Sequence, residues 1–182
     1  MKLFICIKNH KMKTEKLLKI MHILSWIVFI GLCIITGAIL ISYFVSIGNP
    51  EASQNLYAGL DLSEYYNHSF KQYTFIVSYK VALFATEAYI AFLVTNLLKA
   101  LNLKKPFNTE VQKLMQRISY SIFNLWVLAM VHNTHVQFIG IRHHYSMDLF
   151  SSDFIFLAGI IFIFAQIVKR GIEIQTENDL TI

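Results

Sequence analysis

The chain has 182 residues, a formal net charge of +5 and a hydrophobic content of 55%. This composition is too apolar for an ordinary soluble domain, and the length leaves room for one small unit. The two cysteines, Cys6 and Cys33, form no C-x-x-C pair and argue against a disulfide framework or a thiol oxidoreductase. Because the positive charge lies beside apolar segments, we expect no direct nucleic-acid binding.

Four apolar segments dominate the sequence, each close to the roughly 20 residues that a helix needs to cross a bilayer. They are Leu18–Ile47, Thr74–Leu101, Ile118–Ile139 and Asp153–Val168. The first is too long for a signal peptide and lacks a small-residue cleavage pattern, so we interpret it as a retained span. The predicted fold is all-α, an integral membrane four-helix bundle (residues 18–168) with residues 1–17 and 169–182 as tails.

Basic residues are concentrated on one side of the predicted spans. Six lysines lie in the N-terminal region up to Lys19, and five basic residues lie between Lys99 and Arg117. The other two connections carry a single basic residue each, Lys71 and Arg142. Since basic loops stay in the cytoplasm, both termini are predicted to be cytoplasmic, with the chain in the cytoplasmic (inner or plasma) membrane.

The connections carry further local signals. Pro106 ends the second span, and Thr109 with Gln112 matches a T-x-x-Q capping box, which predicts a new helix starting there. Residues 1–11, which precede a second candidate start at Met12, are expected to be poorly ordered. The first outer connection is expected to form an amphipathic lid through its tyrosines, Tyr57, Tyr65, Tyr66 and Tyr73.

Polar side chains lie inside the second and third spans, where ionisable groups are costly. This predicted intramembrane cluster consists of Lys80, Glu87, Asn124, His132 and His135. Lys80 and Glu87 are seven residues apart and therefore share one helical face. Counting from the predicted cytoplasmic side places Glu87 level with His132. The same count places Lys80 level with His135 or Gln137.

Several interpretations of this cluster stay open. The polar groups can act as structural glue between helices, with Lys80 extending towards the interface. They can line the pocket of a small proton- or ion-coupled transporter or an immunity-type protein, for which a homodimer would be needed. His132-Asn-Thr-His135 can also bind haem or a metal, although a bis-histidine haem needs opposed histidines at one depth.

Catalytic motifs are missing from the sequence. It contains no nucleotide-binding loop, nucleophile elbow or metalloprotease motif. We therefore expect no enzymatic activity, no catalytic residue, no cofactor and no resident metal ion.

The end of the chain carries a family resemblance. It rests on the Arg-Gly-x-Glu-x-Gln stretch from Arg170, on the terminal Glu-x-Asp-Leu-Thr-Ile from Glu177, and on Lys-Pro-Phe-Asn from Lys105. From about Met12 onwards the chain resembles a bacterial four-span membrane family filed as domain of unknown function 2975. The resemblance implies a non-enzymatic regulatory or sensory partner of a small cytoplasmic helix-turn-helix regulator. The candidate partner-binding residues are Lys105, Pro106, Phe107, Arg170, Gly171, Glu173, Glu177, Asp179 and Leu180.

Overall fold

A computed structural model of the chain describes residues 2–101, 108–143, 149–151 and 153–179, with the backbone alone for residues 2–13, 141–143 and 179. This part of the chain confirms the all-α prediction. Its α-helices are α1 (Lys2–Gly48), α2 (Ser63–His68), α3 (Phe70–Ala100), α4 (Thr109–His143) and α5 (Phe154–Asp179). A 3-10 helix at Pro50–Gln54 lies between α1 and α2.

Four of these helices are long and apolar enough to cross a membrane. The candidate membrane-spanning segments are Thr14–Gly48, Phe70–Ala100, Thr109–Gly140 and Phe154–Asn178. Their outer surfaces are apolar as well, since Ile27 and Ile41 on α1 are 60% and 67% exposed and Phe156 on α5 is 75% exposed. Such extensive apolar surface suits lipid rather than water. The structure therefore fits a multi-pass membrane protein.

All four long helices extend beyond the predicted spans, and the extensions of α1 at its start and of α5 at its end were not expected. Helix α1 begins at Lys2, so the segment that was expected to be poorly ordered is helical. No proline or glycine occurs before Gly31, and lysines and apolar residues continue the backbone hydrogen bonding equally well. Helix α5 continues through Gly171 to Asp179. A single glycine costs a helix only about 1 kcal/mol, which the surrounding turns can offset.

Helix α4 begins at the predicted residue, Thr109, but with a different cap. Asn108 Oδ1 accepts hydrogen bonds from the backbone N–H groups of Glu110 and Val111, at 2.7 and 3.0 Å. The predicted capping box was therefore wrong, because an asparagine one position earlier supplies the acceptor. Gln112 instead donates a hydrogen bond further along its own helix.

The long helices pack side by side in chain order. Helix α1 packs on α3, α3 on α4, and α4 on α5; within the described residues the backbone of α1 approaches neither α4 nor α5. The Ser25 and Thr95 hydroxyls, 3.0 Å apart, join α1 to α3. Ser119 Oγ donates to the carbonyl of Ala158 at 2.9 Å and joins α4 to α5. The described helices thus form a four-helix arrangement that is open between α1 and α5, and side-chain clusters join α1, α3 and α4 at one end and α3, α4 and α5 further along.

Residues 49–69, here called the connector, fold over the end of this arrangement where α1 ends and α3 begins. Pro50 opens the 3-10 helix. Ala58 and Gly59 adopt φ values of 46° and 88°, a left-handed turn in which glycine is favoured. The Oδ1 atom of Asn55 accepts a hydrogen bond from the N–H of Gly59 at 3.0 Å. This turn directs the second half of the connector back towards the helices.

The connector is packed into the helices and defines one end of the molecule, the capped end. The tyrosines of the predicted lid differ in burial: Tyr65 on the connector and Tyr73 on α3 are 5% and 0% exposed, Tyr66 is half-buried, and Tyr57 is 37% exposed. The Tyr73 hydroxyl lies 2.8 Å from that of Ser46 and ties α3 to α1. The opposite end, where α3 ends, α4 begins and α5 ends, is called the basic end. The core at the capped end consists of Ile39, Leu56, Leu62, Tyr65, Tyr73, Ile76, Val77, Val136 and Ile139.

Candidate functional site

A cavity of about 510 Å³ lies beneath the connector and is called the capped cavity. Lys80 on α3 and His132 on α4 line it from the helices, and Asp61, Glu64 and Tyr65 line it from the connector. Lys80 and His132 are only 4% and 0% exposed. The volume lies within the range of small-molecule sites. The cavity therefore combines a buried ammonium group and a buried imidazole with carboxylates on its connector side.

Aromatic rings hold the two buried groups in place. The Nζ atom of Lys80 lies 4.9 Å from the centroid of the Phe150 ring, a cation–π distance. The His132 ring stands edge-on to Tyr79 and to Phe150, with centroid distances of 6.0 and 5.0 Å. Phe150 therefore contacts both Lys80 and His132.

Asn133 fixes the position of Phe150. Its Nδ2 donates to the carbonyl of Phe150 at 2.8 Å, and its Oδ1 accepts from the N–H of Phe150 at 2.9 Å. Phe150 precedes the first residue of α5 by four positions, so this double hydrogen bond also anchors the start of α5. Sequence reasoning missed both residues. Asn133 lies inside the H-x-x-H motif and could have been weighed with it, but Phe150 has no local signal.

The Asp61 carboxylate is held by the residue that begins α2. Asp61 Oδ1 accepts a hydrogen bond from the N–H of Ser63 at 2.8 Å. Hydrogen bonding by the Ser63 side chain, followed by that of its backbone, lowers the pKa of Asp61 below its ordinary value of 3.8. Asp61 is therefore negatively charged at neutral pH. It lines the capped cavity from the connector, whereas Lys80 lines it from α3.

The structure brings Lys80 and His132 to one cavity but places Glu87 elsewhere. His132 is level with Tyr79, and Glu87 lies eight residues, about 12 Å, further along α3. Glu87 is half-buried and does not line the capped cavity. The prediction that Glu87 and His132 lie at the same depth was wrong. The residues of the third span were counted from Ile118, whereas α4 begins nine residues earlier, at Thr109.

The remaining members of the predicted cluster also lie apart. His135 is half-buried, and its ring contacts Phe75 and Tyr79 at centroid distances of 6.2 and 5.8 Å. It does not line the capped cavity, and Lys80 shares the cavity with His132 instead. Asn124 is exposed and lines a shallow groove beside Tyr89. The polar positions of α4 thus occupy three different environments.

Metal-ligating side chains are dispersed in the part of the chain that the structure describes. There, no three His, Cys, Asp or Glu side chains group closely enough to hold a metal ion. Of the histidines beyond His135, the side chain of His143 and all of His144 lie outside the described atoms.

The predicted partner-binding residues that are described lie on α5 at the basic end. Arg170 and Glu173 form an exposed ion pair at 2.9 Å, with Gly171 between them inside the helix. Glu177 is exposed one turn beyond Glu173. The structure thus presents these charges on a helix rather than on an extended tail. The candidates outside the described side chains are Lys105, Pro106, Phe107, Asp179 and Leu180.

Of the comparisons with known proteins, the one with family models found a match. No curated protein and no solved structure matches the chain. The family model described as "Protein of unknown function (DUF2975)" matches residues 49–182. The match begins where α1 ends, later than the Met12 that the resemblance suggested, and it includes the connector and α3 to α5. Since the matched region is well over half of the chain and contains every residue of the capped cavity, the chain belongs to the DUF2975 family.

Proposed function

We propose that the chain is a non-enzymatic sensory or regulatory membrane protein, which binds a small molecule in the capped cavity and responds through α5. The observation that carries this proposal is the position of Phe150. Its ring contacts Lys80 and His132, and its backbone lies four residues before α5. A molecule that engages Lys80 or His132 competes with Phe150 for them, so occupancy of the cavity biases the position of the first turn of α5.

The chemistry of the capped cavity suits a small zwitterionic ligand. Lys80 offers a positive charge in a poorly solvated place, where an anionic group interacts more strongly than in water. Asp61 and Glu64 line the connector side and favour a cationic or hydrogen-bond-donating group there. Buried ionisable groups within membrane spans mark functional sites by default, and Lys80 is such a group.

The proposed orientation puts both termini in the cytoplasm of a bacterial cell, with the protein in the cytoplasmic membrane. Five exposed basic side chains of α3, α4 and α5 at the basic end support this orientation by the positive-inside rule. They are Lys99, Lys113, Arg117, Lys169 and Arg170. The capped cavity then opens on the outer side of the membrane, where an envelope or external signal would reach it.

The proposed output surface is the C-terminal part of α5, residues 169–179. This segment continues the helix beyond the apolar stretch and combines the charges of Arg170, Glu173 and Glu177 with Ile174, which is 46% exposed. A helix with charged and apolar positions can dock in the groove of a small partner. A cytoplasmic helix-turn-helix regulator is the partner that the family resemblance implies, and DNA contact would then belong to that partner.

The output surface is tested by reversing charge on α5. We expect Glu173→Lys combined with Glu177→Lys to reduce capture of the cytoplasmic partner at least about tenfold, which corresponds to about 1.4 kcal/mol. Membrane insertion should not change, because exposed ion pairs contribute little to stability. Deletion of residues 175–182 should have the same effect on capture. Glu173→Lys alone is compared with Glu15→Lys, which makes the same change of charge at an exposed acid near the start of the described α1 side chains, and an equal loss in these two single variants would contradict the proposal.

The cavity is tested by removing its buried charge. Lys80→Met keeps most of the side-chain volume and should abolish co-purification of a small polar molecule with the protein, measured by native mass spectrometry in mild detergent. Lys71→Met, an exposed lysine on the same helix at the capped end, should leave the bound molecule in place. Identical spectra for wild type and Lys80→Met would show that the cavity does not bind through Lys80.

A further inference from the structure

A second hollow of about 610 Å³ opens at the basic end, between the last turn of α3 and the first turns of α4. Lys99, Lys113 and Arg117 supply three positive charges to its wall, and Glu110 supplies one negative charge. We propose that this hollow binds the phosphate group of an anionic membrane lipid. The inference rests on the protein lying in a bilayer, and it does not depend on what the capped cavity binds.

The cationic side chains of the hollow are available to a ligand. Lys113 and Arg117 are one helical turn apart and therefore lie on the same face of α4, while Lys99 lines the hollow from α3. Within the described part of the chain none of the three makes a hydrogen bond or an ion pair. A guanidinium group matches the geometry of phosphate oxygens in a bidentate way, and the two ammonium groups add point charges.

Side chains, and not the helix N-terminus, supply the binding groups. The N–H groups of Glu110 and Val111, which would otherwise face an anion at the start of α4, already donate to Asn108 Oδ1. The affinity for phosphate is therefore expected to follow the charges of Lys99, Lys113 and Arg117.

The place of the hollow favours a lipid over a free anion. It lies between the end of the apolar run of α3, near Leu101, and the start of the apolar run of α4, near Ile118, which is the level of the headgroups when these helices cross a bilayer. Leu114, which is half-buried against the core of α3, α4 and α5, adds an apolar residue to the wall of the hollow. Basic pockets between helices at this level are a known recognition mode for anionic headgroups.

The test uses the full chain in nanodiscs that contain equal amounts of phosphatidylglycerol and phosphatidylcholine. The retained lipids are counted by native mass spectrometry after release from the nanodisc. Lys113→Gln with Arg117→Gln should lower the ratio of retained phosphatidylglycerol to phosphatidylcholine by about fivefold per charge removed. Lys16→Gln with Lys19→Gln removes the same charge at the same end, on α1 and outside the hollow, and should lower the ratio much less. An equal decrease in both pairs, or in neither, would overturn the proposal.

A variant that should increase lipid retention distinguishes a specific effect on binding from misfolding. Glu110→Gln removes the single carboxylate of the hollow and should raise the retention of phosphatidylglycerol, an outcome that loss of structure cannot produce. Inorganic phosphate at millimolar concentration is added to distinguish binding of a lipid phosphate group from binding of free phosphate. It should not displace the lipid, and displacement would show that the hollow is a site for free phosphate.

Discussion

The two ends of the molecule use polar residues in opposite ways. At the capped end, Lys80 and Tyr73 are buried, and each is held by a specific contact, with Phe150 or with a hydroxyl of α1. At the basic end, Lys113 and Arg117 are exposed around an open hollow. The same residue type, lysine, is therefore buried against an aromatic ring at one end and exposed at the other.

This difference teaches where substitutions should affect folding and where they should affect binding. A buried polar group that loses its partner keeps the cost of its lost hydration, so substitutions at the capped end should lower stability. Exposed charges contribute little to stability, so substitutions at the basic end should change affinity for lipid or protein while the fold persists.

The largest effect on stability is expected from the core of the connector. Leu56 is 2% exposed, and Leu56→Ala should lower the free energy of unfolding by about 2–4 kcal/mol, through lost burial and the cavity left behind. Denaturant titration of the purified protein in mild detergent measures this change. Leu157→Ala on α5, where the leucine is 51% exposed, should cost less than about 1 kcal/mol. Equal losses would mean that the connector does not stabilise the helices.

A smaller loss of stability is expected when the two hydrogen bonds between Asn133 and Phe150 are removed. Asn133→Ala removes both hydrogen bonds to the backbone of Phe150 and should lower the free energy of unfolding by about 1–3 kcal/mol. Asn124→Ala, on the exposed surface of the same helix, should change it by less than about 0.5 kcal/mol. If the Asn133 variant were as stable as the Asn124 variant, Asn133 would not hold the start of α5.

The sequence was sufficient to predict the four spans but not the ends of their helices. Apolar runs of membrane-spanning length are visible in composition alone, and all four reappear as helices. Helix ends depend on backbone hydrogen bonding, which charged residues continue as well as apolar ones, so α1 and α5 extend beyond their apolar runs. The first residue of α4 was correct, although Asn108 and not Thr109 caps it.

The candidate site was partly visible in the sequence. Lys80 and His132 were identified because ionisable groups are costly inside an apolar span. Their shared cavity was not predictable, since the level of α4 against α3 depends on the polar first turns of α4, which precede its apolar run. The contribution of Asp61 to the cavity could not be predicted, because it depends on how the connector folds. The burial of Leu56 and Leu62 sets the position of the connector, and these residues are far along the chain from α4.

The smallest effect is expected from pH at the mouth of the capped cavity. Because the pKa of Asp61 is lowered in the folded protein, folding favours its charged form. The resulting stability is fully present above 3.8, the ordinary value, and is lost as the pH falls through the lower folded pKa. Asp61→Asn should therefore lose less stability than wild type between about pH 6 and about pH 3, by no more than about 0.5 kcal/mol, since Asp61 is exposed.

Thermal unfolding in the same detergent at the two pH values measures this difference. Ser63→Ala keeps the carboxylate but removes the hydroxyl donor that contributes most to the lowered pKa of Asp61. It should reduce the pH dependence in the same direction as Asp61→Asn and to a smaller extent, because the N–H of Ser63 still donates to the carboxylate. If both variants lost as much stability as wild type on acidification, Asp61 would behave like the free charges of the basic end, and the contrast between the two ends would not include the mouth of the cavity.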